Sequence, residues 1–282
     1  MTLPSRRDWP SGRLNKLGFR EHPFLLSADP RFLYLSNQHM AVLDRLRDLV
    51  DWREGLAVVV GPIGVGKTTI ARRLYELYTL EQGYNVVYIH TAEYTTATEA
   101  ARDIARAFGQ PTRRALIDQL RDMERFLVEA RSKNQNVIAI IDDAQQMRSD
   151  ALDTLQSFFN FDVKAKLIQT ILFAQPEIHM TFAAKPGVLD RVAAWQSLSP
   201  LPPDDALSMI QFRCQVAGRQ EPLMSDSAFL RLYELTNGVP RPMVNISAEL
   251  LRVILESGKM AADQEDIEQA IVLYQKRFGS EA

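Results

Sequence analysis

The stretch Gly61-Pro62-Ile63-Gly64-Val65-Gly66-Lys67-Thr68 constrains this chain more than any other. It follows the apolar run 56–60 and opens an amphipathic pattern over 67–78, so it sits between a strand and a helix. Glycines in such a loop let consecutive backbone N–H groups turn inward, and the next helix adds its positive end; together they cradle phosphate. Gly61, Pro62, Ile63, Gly64, Val65, Gly66, Lys67, Thr68 and Thr69 are therefore expected to hold the phosphates of a nucleotide. Lys67 would bring a mobile charge to the β- and γ-phosphates, and Thr68 a hydroxyl to Mg²⁺. The competing reading, a chance glycine-rich turn, is disfavoured by the flanking strand and helix.

The surrounding pattern fits that loop. Short apolar runs at 56–60, 85–90, 137–141, 168–174 and 196–201 read as strands. Helical periodicity lies between them at 67–78, 97–108, 113–133 and 150–160. Near-continuous Val/Ile runs joined by helices indicate a parallel sheet covered on both faces. Ahead of it, Ser36 can cap a helix carrying Met40, Leu43, Leu46 and Val50, which Gly55 stops. From Asp204 the strands cease. Asp204, Ser225 and Asp263 are placed as helix starts, and 207–216, 229–235, 244–255 and 267–278 carry helical spacing. The expected organisation is an N-terminal arm over 1–36, an α/β nucleotide-binding core over 37–202, and a helical subdomain over 203–282.

Composition excludes several classes. At 282 residues with 46% hydrophobic content, the chain is neither disordered nor low in complexity. Thirty-three Lys+Arg against 35 Asp+Glu leave a net charge of -2, so no global positive field advertises nucleic acid. A single cysteine, Cys214, allows no internal disulfide or multi-cysteine zinc site and fits a reducing cytoplasm. No apolar run approaches a bilayer span, and the first residues lack the apolar centre of a secretory signal; the expected location is cytoplasmic. His22, His39, His90 and His179 show no metal-ligand spacing and read as structural.

A second acidic site follows from Val137-Ile138-Ala139-Ile140-Ile141-Asp142-Asp143, an apolar strand that ends in two carboxylates. A carboxylate at the carboxyl end of a parallel strand beside a phosphate loop can hold Mg²⁺, the role expected of Asp142. Asp143 is placed to orient or deprotonate the water that attacks the γ-phosphate. Alternatively, the two acids only cap the next segment.

Several linked motifs now carry a resemblance. They are Pro23-Phe24, then Asp29-Pro30-Arg31-Phe32-Leu33-Tyr34-Leu35-Ser36 with His39, then the phosphate loop. Ile141-Asp142-Asp143-Ala144-Gln145, Leu172-Phe173-Ala174-Gln175-Pro176-Glu177, Leu198-Ser199-Pro200-Leu201 and Gly238-Val239-Pro240-Arg241 follow in order. Over roughly residues 20 to 255 the chain resembles ExeA-like AAA+ ATPases, the general-secretion ATPase A group, to which transposition ATPases of the TnsC, TniB, MuB and IstB kind are related. The resemblance implies an α/β AAA+ P-loop NTPase core, a parallel five-stranded sheet of order 5-1-4-3-2, with a C-terminal helical lid. It implies ATP and Mg²⁺ as ligands, ATP hydrolysis, and self-assembly into a ring or helical filament.

The resemblance also assigns residues. Gln175 matches the sensor 1 position, orienting water between the γ-phosphate and Asp143. Arg241 matches sensor 2 and would reach the γ-phosphate when the lid closes; read alone, it caps its helix. Arg191 matches the arginine before the fifth strand, a candidate finger acting on a neighbouring subunit; read alone, it is a surface ion-pair residue. Phe24, with Pro23, is expected near the adenine. Two positions depart from the family: Asp143 replaces the usual Glu, and Trp195 stands where relatives commonly carry another arginine. Asp is shorter than Glu by about 1.5 Å, so slow hydrolysis is expected.

The first functional expectation is a DNA-associated regulator of transposition, polymerising on double-stranded DNA and recruiting a transposase or targeting factor. It rests on the compact chain, the basic arm (Arg6, Arg7, Arg13, Lys16, Arg20) and a sequence ending at Ala282 with no membrane span or wall-binding module. The alternative is an ExeA- or MshM-like cytoplasmic ATPase for secretion or pilus assembly. A third reading is a nucleotide-binding scaffold that scarcely hydrolyses ATP. Lys164, Lys166 and Lys185 read as a solvated face or as phosphate contacts at a ring's pore. Arg113, Arg114, Arg121, Arg125 and Arg131, interleaved with Asp118, Asp122, Glu124 and Glu129, read as a salt-bridged helix surface.

Overall fold

The computed structural model describes residues 11–25, 29–161 and 166–279; Arg6, Arg7 and Lys164 lie outside the described residues. The chain divides into two compact units, Asn37–Ser199 and Met1–Ser36 with Pro200–Ala282.

The first unit is built on five parallel strands: β1 (Leu56–Val60), β2 (Tyr84–Ile89), β3 (Asn136–Ile141), β4 (Ile168–Ala174) and β5 (Val192–Ser197). Their order is β2-β3-β4-β1-β5, which read from the other edge is 5-1-4-3-2. The fold class expected from the sequence is the one observed. β1, β3 and β4 are buried along their whole length, which is why they read as continuous apolar runs. Side chains alternate between two cores. Leu56, Val58 and Val60 pack with Ile104, Met123, Leu127 and Leu155, from α4 (Ala97–Ala107), α5 (Leu116–Ser132) and α6 (Ser149–Phe159). Ala57 and Val59 face Leu46, Leu49, Ile70 and Leu74, from α2 (Asn37–Asp51) and α3 (Lys67–Thr79).

The fifth strand is displaced from its expected place at 196–201. It forms at Val192–Ser197, pairing with β1 in a register that puts Ser197 opposite Val60. An edge strand is only partly buried, so its apolar content is a poor signal; Leu198 and Leu201 are buried past its end. Two short helices after β4, α7 (Ile178–Ala183) and α8 (Pro186–Leu189), had no periodicity long enough to read. α5 starts at Leu116 rather than at 113, and ahead of it the Arg113 N–H donates to the Gln119 side chain (2.7 Å).

The second unit holds α9 (Pro203–Val216), α10 (Asp226–Thr236), α11 (Pro240–Ser257) and α12 (Gln264–Phe278). Ser225 caps α10 through the Ala228 N–H, and Asp263 caps α12 in a reciprocal box with Asp266. Asp204 does not cap α9; it lies in the first turn, beyond Pro202, where a carboxylate still favours the positive helix end. The expected irregular arm contains a helix, α1 (Ser11–Lys16), and its Leu17, Phe19, Phe24 and Phe32 are buried with Met209, Ile210 and Leu251. Two arginines stitch it down. Arg213 donates to the carbonyls of Pro23 (2.9 Å), Leu25 (2.9 Å) and Phe32 (3.0 Å). Arg219 donates to those of Leu17 (2.8 Å), Met260 (2.7 Å), Pro222 (2.6 Å) and Glu221 (2.9 Å). No helix of the described residues is long and apolar enough to cross a membrane.

Candidate nucleotide-binding site

β1 ends by releasing the chain into the phosphate loop, and the loop is fixed at both ends. The Gly61 N–H donates to the Ala174 carbonyl at the end of β4 (3.2 Å), and a Cβ at Gly61 would lie 2.6 Å from the Leu198 carbonyl oxygen. Gly66 has φ +105°, in the left-handed region, and a Cβ there would stand 2.8 Å from His39 Nε2. The N–H groups of Gly64, Val65 and Gly66 donate to no carbonyl among the described residues. Unpaired donors ahead of the thirteen-residue α3 are what an anion site requires. Lys67 is 7% exposed and its ammonium donates to the carbonyls of Gly61 (2.7 Å) and Pro62 (2.8 Å). Thr68 and Thr69 are half-buried in the first turn of α3, whereas Pro62 and Ile63 are exposed.

The acidic pair stands at the end of β3. Asp142, 3% exposed, accepts from the Tyr88 hydroxyl on β2 (2.8 Å) and from the Asp143 N–H (3.0 Å). Burial, and then the neighbouring Asp142 carboxylate, push the Tyr88 hydroxyl well above its ordinary pKa, so it stays a donor. Asp143 adopts φ 50°, ψ 35°, a left-handed conformation that Asp tolerates better than most side chains. Its carboxylate makes no capping bond to the following turn, which removes the simplest structural explanation for it. Instead Gln145 donates to Asp143 Oδ1 (3.2 Å) while its own carbonyl oxygen accepts from the Gln175 N–H (3.0 Å). One hydrogen-bonded sequence thus runs along the carboxyl edge of the sheet. It passes from Gly61 to the end of β4, then through Gln175 and Gln145 to Asp143, Asp142 and Tyr88.

Arg191, Arg241, Phe24 and Lys185 each have their own surroundings. Arg191, just before β5, donates to Asn160 Oδ1 at the end of α6 (3.0 Å), an exposed contact. Arg241 is an exposed residue in the first turn of α11, with no hydrogen bond or ion pair to another described residue. Phe24 is buried in the core of the helical unit. Lys185 is held by Asp153 (2.9 Å) and Asp150 (3.4 Å). The arginine-rich helix is salt-bridged: Asp122 pairs with Arg113 (2.6 Å) and Arg125, and Asp118 with Arg121 (3.6 Å). Among the described residues no group of three or more His, Cys, Asp or Glu could hold a metal. Three site residues escaped the sequence reading of roles: His39, Tyr88 and Gln145. His39 and Gln145 sit inside the motifs already quoted; Tyr88 offered only a polar tip within an apolar run.

Sheet order, phosphate loop and acidic strand end are those of the AAA+ P-loop NTPase fold. Residues 47–182 match the family model described as an AAA domain. The chain is 28% identical over 237 residues to General secretion pathway protein A of Aeromonas hydrophila, a match covering 81% of this chain and 42% of that protein. It therefore spans about two fifths of that relative's length. Among solved structures it is similar to the Aeropyrum pernix ORC1 protein in complex with DNA (TM-score 0.68, 15% identity, 92% of this chain and 70% of that one). It is also similar to the Aeropyrum pernix ORC2 protein in its ADPNP-ADP complexes (TM-score 0.63, 15% identity, 84% and 66%). At such identity the structural likeness speaks to the fold.

Proposed function

We propose that this chain is an ATP-dependent assembly switch. ATP binds through the loop around Lys67, Mg²⁺ is held by Thr68 and Asp142, and hydrolysis resets the assembled state. The observation that carries this reading is the continuous hydrogen-bonded edge linking the phosphate loop to Asp143 through Gln175 and Gln145. The donor set fits a phosphate-bound cation: one carboxylate and one hydroxyl leave room for phosphate oxygens and water, as Mg²⁺ prefers. When bound, the metal would neutralise charge developing on the transferred phosphoryl group. Asp143, Gln175, Arg241 and, from a neighbouring subunit, Arg191 are the residues assigned to water positioning and γ-phosphate sensing. Loss of the γ-phosphate then shifts the population away from the assembled state.

The DNA-directed use is a transposition regulator that assembles on duplex DNA and recruits a transposase or targeting factor. The similarity to General secretion pathway protein A favours a second use, in secretion or pilus assembly. Negative-stain microscopy with a non-hydrolysable ATP analogue, with and without duplex DNA, separates them. DNA-dependent filaments support the first; analogue-dependent rings indifferent to DNA support the second; no nucleotide-dependent assembly overturns the switch.

A further inference from the structure

α2 is hydrogen-bonded to the phosphate loop by His39. His39 is 3% exposed, and its Nε2 lies 2.9 Å from the Val65 carbonyl oxygen. A carbonyl only accepts, so Nε2 carries the proton and donates. The described chain has no cis peptide, so the C=O of Val65 and the N–H of Gly66 point in opposite directions across one rigid plane. Fixing the carbonyl toward α2 therefore fixes the Gly66 N–H away from it. That N–H is one of the donors with no carbonyl partner among the described residues. The same imidazole stands 2.8 Å from where a Gly66 Cβ would be, so residue 66 and residue 39 are fitted to each other. The anchor is rigid: Leu46, Leu49 and Val50 of α2 are completely buried against the sheet.

We infer that His39 is a positioning residue for nucleotide phosphates, aiming the Gly66 N–H by holding the opposite side of its peptide plane. Without the imidazole donor, the Val65–Gly66 peptide is free to rotate, and the loop must be ordered when the phosphate arrives. Affinity for every phosphate-bearing nucleotide then falls, while turnover at saturation changes little, since ground state and transition state lose the same contact. The inference rests on the loop being the nucleotide site.

The test compares His39→Phe, which keeps a ring without a donor, with His39→Gln, whose amide nitrogen reaches the place of Nε2. Fluorescent ADP and ATP analogues are titrated into each, with steady-state kinetics and nucleotide-free melting beside them. The expected result for His39→Phe is a dissociation constant and KM raised about tenfold, the scale of one lost hydrogen bond, with kcat within about twofold. His39→Gln should recover most of that affinity. Should His39→Phe fail to fold, His39→Asn, one methylene too short to reach Val65, takes its place against His39→Gln with the same expected gap. Equal affinity in the variants with and without the donor overturns the inference, as does a loss confined to kcat. Lys67→Ala serves as the control: if it binds as wild type does, the site assignment fails rather than the role of His39.

Discussion

In the α/β unit, backbone donors of the phosphate loop stand open among the described residues, whereas in the helical unit two arginines are tied to backbone carbonyls. The N–H groups of Gly64, Val65 and Gly66 donate to no carbonyl among the described residues. Arg213 and Arg219, by contrast, spend their guanidinium donors on backbone carbonyls. Burial pulls Arg213 down to about 10, which still leaves it charged at neutral pH. A buried cation is costly unless every donor is satisfied, so such an arginine works as a staple, not as a reader of ligands. Open donors beside a glycine loop mark a site; donors tied to backbone carbonyls beneath an arm mark a scaffold.

The contrast can be broken in several ways. The largest effect is expected from Asp142→Asn, which removes a charge from the proposed metal site. Turnover should fall on the order of a thousandfold, matching the several kcal/mol a metal ion contributes, with little change in melting temperature. A variant that melts early but turns over normally would make Asp142 a structural residue. Arg219→Ala tests the opposite region. Denaturant titration should show a loss of about 3 kcal/mol, from orphaned carbonyls and a lost buried donor set; unchanged stability would deny the staple.

A smaller effect sharpens the site itself. Asp143→Glu restores the longer side chain, and steady-state ATPase rates should rise about three- to tenfold if reach limits the reaction. Glu fits the left-handed backbone at residue 143 less well, so a slight loss of stability should accompany the gain. Unchanged turnover counts against Asp143 as the group that handles water. The gentlest effect is a pH slope in the helical unit. Burial, and then Arg252 and Arg213, lower the His22 pKa from 6.5 to about 4. Between those values the unfolded chain binds a proton that the folded chain refuses, so stability falls as pH drops from 6.5 toward 4. The loss should be a few tenths of a kcal/mol near pH 6.5 and grow below it; His22→Gln should flatten the curve, and an unaltered slope would exclude His22 as its source.

What could be read in the sequence follows from where information is local. β1 and β4 were legible to the residue because a strand buried on both faces must be apolar throughout. Ser225 and Asp263 were legible because a cap bonds within its own first turn. The phosphate loop announced itself through residue types that backbone geometry requires. β5 was misplaced because an edge strand carries a mixed pattern, and the buried Leu198 beyond it drew the boundary outward. The contacts of His39 with Val65, Tyr88 with Asp142, and Arg219 with Leu17 join residues far apart in the chain. No periodicity encodes them. Gln145 was visible as part of a motif, but its bridge from Asp143 to Gln175 needed the parallel register of β3 and β4.

The central claim is that a nucleoside triphosphate is gripped by the loop around Lys67. Calorimetric titration of a non-hydrolysable ATP analogue with Mg²⁺ into the wild-type chain and into Lys67→Ala tests it most directly. The account predicts at least about a hundredfold weaker binding in the variant, some 2.7 kcal/mol, at an unchanged nucleotide-free melting temperature. Equal affinity in the two proteins would contradict it.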